Sequence, residues 1–397
     1  MLTCHQSRPR ANTDRQPRTG NILVMTAAAL VMVFAFTAFT VDVGYITLTK
    51  AELQKTADAA ALGGVIELAD ALGPGKIVSQ SQAETNAKAA AVAVSAANRG
   101  GGQAAVFADG NRDVRVGKYS WDSASGTYVK QWGVQPYNMV EVTLRRDQSG
   151  SNNGDGPLDL FFAPVLGHDE ANVLSVSTSA MQAGVGFRKI PGQNIAILPI
   201  TLDEPTWDNL ILNGIGSDDY TYNPVTKTVS NGPDGIKEVN LYPEGNVVLP
   251  PGNRGTVDFG DTGNSTADIT RQILYGMNDD DWAALADQGI TELRWDTDPI
   301  DIEGDTGLSA GIKDELDAIK GQPRAIPIFS QVSGPGNNAV YTIVRFVGIR
   351  IMHVKLTGKP SGKHVMVQPA PFSDFSVIPG ETEITEDSIL TSPGLVE

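Results

Sequence analysis

The side chains of this 397-residue chain best suited to chemistry are carboxylates. Asp296, Asp298, Asp301, Glu303 and Asp305 alternate through WDTDPIDIEGDTG. Carboxylates spaced in this way can line a calcium loop, because a hard cation takes about six to eight oxygen ligands. Pro299 and the offset of Gly304 depart from the D-x-[DN]-x-[DN]-G pattern, so the plainer reading is a solvated acidic loop. A second run, Asp279-Asp280-Asp281, precedes WAALADQG and reads as charge favourable to a helix N-terminus. His5, His168, His353 and His364 show no H-x-x-x-H spacing, and no G-x-S-x-G elbow occurs. The segment Gly252–Gly263 (GNRGTVDFGDTG) lacks the lysine of a phosphate loop and reads as turns. An anchored hydrolase would therefore lack a nucleophile–base pair. The sequence predicts no enzyme, no catalytic residue and no cofactor, calcium on the five carboxylates being the one alternative.

Whatever the carboxylates do, they belong to an acidic body. The formal net charge is −16, yet residues 1–19 carry Arg8, Arg10, Arg15 and Arg18 against only Asp14. An acidic body repels phosphate backbones, which argues against a nucleic-acid partner. The single cysteine, Cys4, excludes an intrachain disulfide; no apolar run precedes it, so it reads as an inert exposed thiol and not as a lipidation site. Hydrophobic residues at 41% suffice for a packed core, and 42 glycines with 23 prolines favour a strand- and loop-rich body over a bundle.

An apolar run directly after the arginines explains them. Residues 19–41 contain no charged side chain, and Ile22–Val41 reads ILVMTAAALVMVFAFTAFTV. At about 1.5 Å per residue, such a helix spans the roughly 30 Å hydrocarbon core. Thr26, Thr37 and Thr40 are tolerated because a hydroxyl can bond a carbonyl one turn back. A cleaved signal peptide would have a shorter core and a small-x-small site, and a buried core helix would carry more polar residues. A retained anchor fits best. Basic residues near a span stay in the cytoplasm, which predicts a single-pass protein of the cytoplasmic (inner) membrane with its N-terminus inside and its body outside.

The elements that must position these residues emerge from periodicity. Apolar residues continue at helical spacing to Ala71 (Ile46, Leu53, Ala57, Ala60, Ala61, Val65, Leu68), weakened at Gly63-Gly64 and stopped by Gly73-Pro74-Gly75. An alanine-rich helix over 81–98 is expected to pack closely against another helix. Period-two patterns predict strands over 114–120, 128–133, 137–145 and 173–181, with a turn at Asp122–Gly126 (DSASG) and a long polar loop over 147–156. Beyond 187, a buried strand is expected at 194–202. Capped helices are expected after Ser265 and Ser309, and strands at 324–331, 340–351 and 364–368. The expected class is α+β: a transmembrane helix extended into a stalk, then a strand-rich head. The divisions are a basic tail (1–19), the span (20–46), a helical stalk (47–103), a β-rich unit (104–186), an α+β head (187–378) and a frayed acidic tail (379–397).

One resemblance rests on specific residues. A basic residue, Arg18, precedes Gly20 and the uncharged span; Asp42-Val43-Gly44-Tyr45 and Ala51-Glu52-Leu53-Gln54-Lys55-Thr56-Ala57-Asp58-Ala59-Ala60-Ala61-Leu62 come after it. Together they resemble the N-terminal domain of the Flp pilus-assembly TadE/TadG-like proteins, over roughly residues 18–66. The resemblance implies a pilin-like or accessory component of a tight-adherence pilus assembly or related secretion system. Its long helix would carry a head outside the cytoplasm, with lipid and other pilin-like or Tad assembly proteins as partners. Arg18, Gly20, Asp42, Gly44, Tyr45, Leu53, Gln54, Ala57 and Asp58 are the topology and assembly candidates. Met25 stands where a processed pilin has glutamate, which argues against cleavage after Gly20. Asp122-Ser123-Ala124-Ser125 does not fit the D-x-S-x-S metal motif of relatives with a von Willebrand factor A domain. A surface adhesin or calcium-binding recognition module is the second reading.

Overall fold

The structure is a computed structural model that describes residues 21–72, 76–242, 254–260, 265–334, 336–359, 362–385 and 387–396. The predicted basic tail, Arg18, Gly20 and the Gly73-Pro74-Gly75 stop lie outside the described residues.

Helix α1 (Asn21–Ile66) is unbroken over 46 residues, about 69 Å of rod. Thr26, Thr37 and Thr40 each donate their hydroxyl to the carbonyl four residues back at 2.8 Å, which removes their polar cost. The helix runs straight through Gly63-Gly64, where intrinsic propensity would weaken it. A Cβ on Gly64 would stand 3.0 Å from Val140 Cγ1 and 3.2 Å from the Ala87 carbonyl, so close approach of neighbours needs glycine there. Regular helix stops at Ile66, short of the predicted Ala71. Bonds tighten to the i−3 type at Glu67 and Leu68 and continue in a 3₁₀ turn at Ala69–Ala71, which drives Leu68, Ala71 and Leu72 inward. Helix α2 (Gln80–Ala96) is capped by the Ser79 hydroxyl, which accepts from the Gln82 N–H at 3.1 Å. Its Ala83, Ala87 and Ala91, one turn apart, are fully buried against α1, the close helix contact that the alanine pattern predicts.

Strands β1 (Val114–Asp122), β2 (Thr127–Trp132), β3 (Met139–Arg146), β4 (Leu158–Asp159), β5 (Glu170–Ala171) and β6 (Val173–Ala180) come next. The second half of the chain contributes β7 (Gly184–Arg188), β8 (Ile200–Asp203), α3 (Glu204–Asn213), β9 (Tyr220–Asn223), β10 (Thr228–Asn231), β11 (Val239–Asn240) and β12 (Arg254–Val257). Then come α4 (Thr266–Tyr275), α5 (Asp279–Asp287), β13 (Glu292–Arg294), β14 (Ile300–Asp305), α6 (Lys313–Ala318), β15 (Pro323–Ser333) and β16 (Ala339–Lys355). The chain closes with β17 (His364–Pro369), β18 (Ser373–Asp374), β19 (Val377–Pro379), β20 (Leu390–Thr391) and β21 (Gly394–Leu395). The molecule is α+β, a long apolar helix followed by a strand-rich head.

The first sheet has the order β2-β1-β3-β6-β21, and α1 lies across β3 and β6. One core joins Leu53, Ala57, Ala60, Ala61 and Val65 of α1 to the α2 alanines and to Val116, Val140, Val142 and Leu144 of the sheet. The second sheet has the order β11-β17-β16-β14-β12-β8-β15, and β16 also pairs β15, so β8, β12, β14, β16 and β15 form a closed ring. Its two faces carry separate cores, one around Phe329, Tyr341 and Ile343, the other around Trp207, Val347 and Ile349 under α3, α4 and α6. The single buried strand expected at 194–202 is shorter. Ile195 and Ile197 make isolated bridges, and only Ile200–Asp203 joins the sheet.

The C-terminal tail is not frayed. β21 pairs antiparallel with β6, the Val396 N–H donates to the Thr178 carbonyl at 2.9 Å, and Ile389 and Leu390 are buried. Its apolar residues supply an edge that the first sheet lacks, which outweighs the local charge and proline.

Candidate functional site at the foot of the head

Asp42 sits where the uncharged stretch of α1 ends, and it is buried. Its carboxylate accepts the backbone N–H groups of Phe161 (2.8 Å), Phe162 (3.0 Å) and Ala163 (2.6 Å). Those three N–H groups stand at the start of a 3₁₀ turn at Ala163–Leu166, where no carbonyl of the turn can reach them, so the carboxylate acts as its cap across 119 residues of sequence. The capped segment, Leu160–Gly167, reads LFFAPVLG. Tyr45, one turn beyond Asp42, sets its ring 5.2 Å from that of Phe161.

A second tie lies just above. Glu52 Oε2 accepts the Gly101 N–H at 2.9 Å. The buried Arg146 guanidinium donates to the Gly101 carbonyl, to Gly156 O at 2.7 Å and to Pro157 O at 3.3 Å. Gly101 has φ +57°, and a Cβ there would meet Arg146 and Thr49, so the backbone must be glycine. Arg112 bridges the buried Asp113 and Asp155 at 2.7 and 2.8 Å; the hydrogen bond to Asp113 pushes its guanidinium pKa up. Burial alone would raise the Asp155 carboxyl, but the Ser151 hydroxyl and Arg112 hold it below the usual carboxylate range. These contacts fix the predicted polar loop over 147–156, and with it the descent of the chain to Leu160.

The other assembly candidates divide by environment. Leu53 and Ala57 are core residues. Gln54 donates to Asp58 at 2.8 Å and to the Val176 carbonyl at 3.0 Å, tying α1 to β6. Gly44 is exposed, and a Cβ there would meet nothing within 4 Å, so no contact among the described residues requires it.

The five carboxylates considered for calcium do not share one loop: Asp296 and Asp298 lie in the turn before β14, and Asp301, Glu303 and Asp305 lie on β14 itself. Their alternation is that of β14, in which Ile300 and Ile302 point inward and Asp301 and Glu303 outward. Arg294 holds Asp296 at 2.6 Å, Thr342 donates to Asp301 at 2.7 Å, Asp305 accepts the Gly307 N–H at 2.9 Å, and Asp298 is exposed. No group of three or more histidine, cysteine, aspartate or glutamate side chains is placed to hold a metal ion among the described residues. Asp279–Asp281 does begin α5, but Asp281 is more than dipole charge. It completes a capping box with Asn278, is buried, and receives Arg271 (3.0 Å) and Gln272 (3.0 Å) from α4.

Two features escape local spacing. His353 on β16 and His364 on β17 meet across the ladder, Nδ1 to Nε2 at 2.7 Å, with Tyr220 stacked on His353 at 5.1 Å. Burial lowers both imidazoles, helped at His353 by the neighbouring His364 and at His364 by Lys355. The apolar run Leu160–Gly167 is the second: its signal is eight residues without charge between a polar loop and His168-Asp169-Glu170.

Comparison with known families fits this geometry. The family model for Flp pilus-assembly TadE/G-like proteins matches residues 20–70, which span α1 and the turn after it and hold Asp42, Gly44, Tyr45, Leu53, Gln54, Ala57 and Asp58. The N-terminal segment is thus similar to that of TadE/G-like pilus-assembly proteins. Neither the curated proteins nor the solved structures yield a match to the chain.

Proposed function

We propose that this protein is a membrane-anchored, pilin-like accessory component of a tight-adherence (Flp) pilus assembly or related secretion system. It works by helix packing and by contacts of its head outside the cytoplasm. The observation that carries the reading is a stripe on α1. Leu48, Ala51, Lys55, Ala59 and Ile66 fall on one helix face by their spacing, and all are exposed. The head packs on the opposite face through Leu53, Ala57 and Ala60. A stalk in water that keeps Leu48 and Ile66 each 57% exposed offers an apolar strip to another helix. The strip lies within the segment that matches a pilus-assembly family. Helix 22–41 is long and apolar enough to cross the bilayer and anchors the stalk. The four arginines before it hold the N-terminus in the cytoplasm, with the inner membrane as the site.

The test is made simple by the single native cysteine, which one substitution removes. In a Cys4→Ser background, Leu48→Cys or Ala59→Cys is oxidised or crosslinked in cells that make the pilus system. Covalent adducts with pilin-like or assembly proteins, absent for an exposed head position such as Val225→Cys, are expected. A protein that stays monomeric at every α1 position refutes the reading.

A further inference from the structure

We propose that Leu160–Gly167 is a second membrane-inserting element, a loop whose apolar side chains sit among phospholipid acyl chains beside α1 and are held there by Asp42. The proposal rests on the anchored reading above and adds to it a seat for the head on the bilayer.

Three observations converge. Val165 is 88% exposed and Leu166 77%, and Phe161 and Phe162 are exposed beside them, four large apolar side chains contiguous in one short segment. The patch also continues the surface of the membrane-capable helix. Phe162, Val165 and Leu166 face Val31, Phe34, Ala38 and Phe39 of α1 across an apolar cleft of about 670 Å³. Val31 lies eleven residues before Asp42, about 16 Å along the axis, so the cleft runs down the outer half of a roughly 30 Å core. A loop at this position shares the solvent of the helix it flanks.

The third observation bears on what usually keeps irregular backbone out of lipid, unsatisfied backbone polar groups: most N–H groups of this loop are bonded within the chain. Phe161, Phe162 and Ala163 donate to Asp42; Val165, Gly167 and His168 donate to Phe162 O (3.1 Å), Pro164 O (3.0 Å) and Ala163 O (3.1 Å). Pro164 has no N–H to satisfy. The same bonds resolve a difficulty for Asp42, since a carboxylate at the edge of a span is costly unless partnered. His168, Asp169 and Glu170, all exposed, come immediately after and mark the return to water. The occupant is lipid because the patch is continuous with the span and lies on a different face of α1 from the stripe offered to other helices.

Spin labels decide it in the full chain. Val165→Cys and Leu166→Cys, each with Cys4→Ser, are labelled and reconstituted in phosphatidylethanolamine–phosphatidylglycerol vesicles. Collision with oxygen and with a water-soluble nickel chelate is then compared with Phe34→Cys in the span and Val225→Cys, 89% exposed on the head. The expected result is that positions 165 and 166 behave as 34 does, open to oxygen and closed to nickel. Nickel access at the level of 225 overturns the proposal, and so does shielding from both reagents, which would mean protein covers the loop. If position 34 is itself open to nickel, the anchored reading fails, which separates the two claims. Adding Asp42→Ala to the 165 label should raise nickel access toward the 225 value while 34 is unchanged; no change removes Asp42 from the role.

Discussion

The two halves of α1 share one helix and carry opposite surfaces. From Ile22 to Val41 its large side chains are uncovered, Ile22 at 81% and Phe36 at 72%, and the turn after Leu160 approaches them across a cleft without covering them. From Leu53 to Val65 it buries small and medium residues against a sheet and a second helix, with Ala57, Ala60 and Ala61 fully inaccessible. Bulk and uniform apolarity suit a solvent that makes no specific contact. Small residues at a fixed spacing suit partners that approach closely. Identical backbone geometry therefore serves opposite surface rules, and Asp42 and Tyr45 mark where one rule gives way to the other.

Truncation should break the symmetry most sharply. Leu53→Ala is expected to cost the head about 2–5 kcal/mol, because it leaves a cavity under the sheet. The same change at Leu30 should move head stability by no more than about 0.5 kcal/mol. Thermal unfolding of both variants in detergent checks this, and equal losses would erase the distinction. Charge should act the other way. Phe34→Arg is expected to weaken membrane integration by about 2.5–3.5 kcal/mol, read as the fraction resistant to alkaline extraction, with the head's melting temperature unchanged.

Smaller effects test the water-side half alone. Ser79→Ala removes the α2 cap and should cost about 1 kcal/mol, seen as a lowered unfolding midpoint. The head also carries a pH dependence that the apolar half cannot have. His353 and His364 are both lowered from their usual 6.5, so the folded state prefers them neutral and the unfolded chain binds more protons. Their contribution is complete above pH 6.5 and is lost as pH falls through the depressed folded values. Melting of the full chain from pH 8 to 5 should show this decline, and His364→Gln should flatten it; a His364→Gln variant with an unaltered slope would assign the decline to other groups.

Local pattern made much of this legible. The uncharged stretch, the period-two runs and the Ser265 and Ser309 caps lie in adjacent residues, where helix and strand periods act directly. Pattern misleads where a residue's partner is distant in sequence. The carboxylates of β14 alternate because Ile300 and Ile302 face a core, not because they converge on an ion. The tail after Ile378 reads as frayed until β6 is seen to need an edge partner.

By itself the sequence determined that a helix of the right length and apolarity begins the chain, that small residues line one of its faces, and that a strand-rich acidic body lies beyond it. These are properties of composition and period, which each segment carries with it. Only the tertiary structure decided that Asp42 holds the foot of the head, that His353 meets His364, and that Leu160–Gly167 lies against the apolar half of α1. Each of these joins groups that the chain separates by eleven residues or by more than a hundred. Their energies depend on burial and on aligned donors, and neither exists until the sheets have formed.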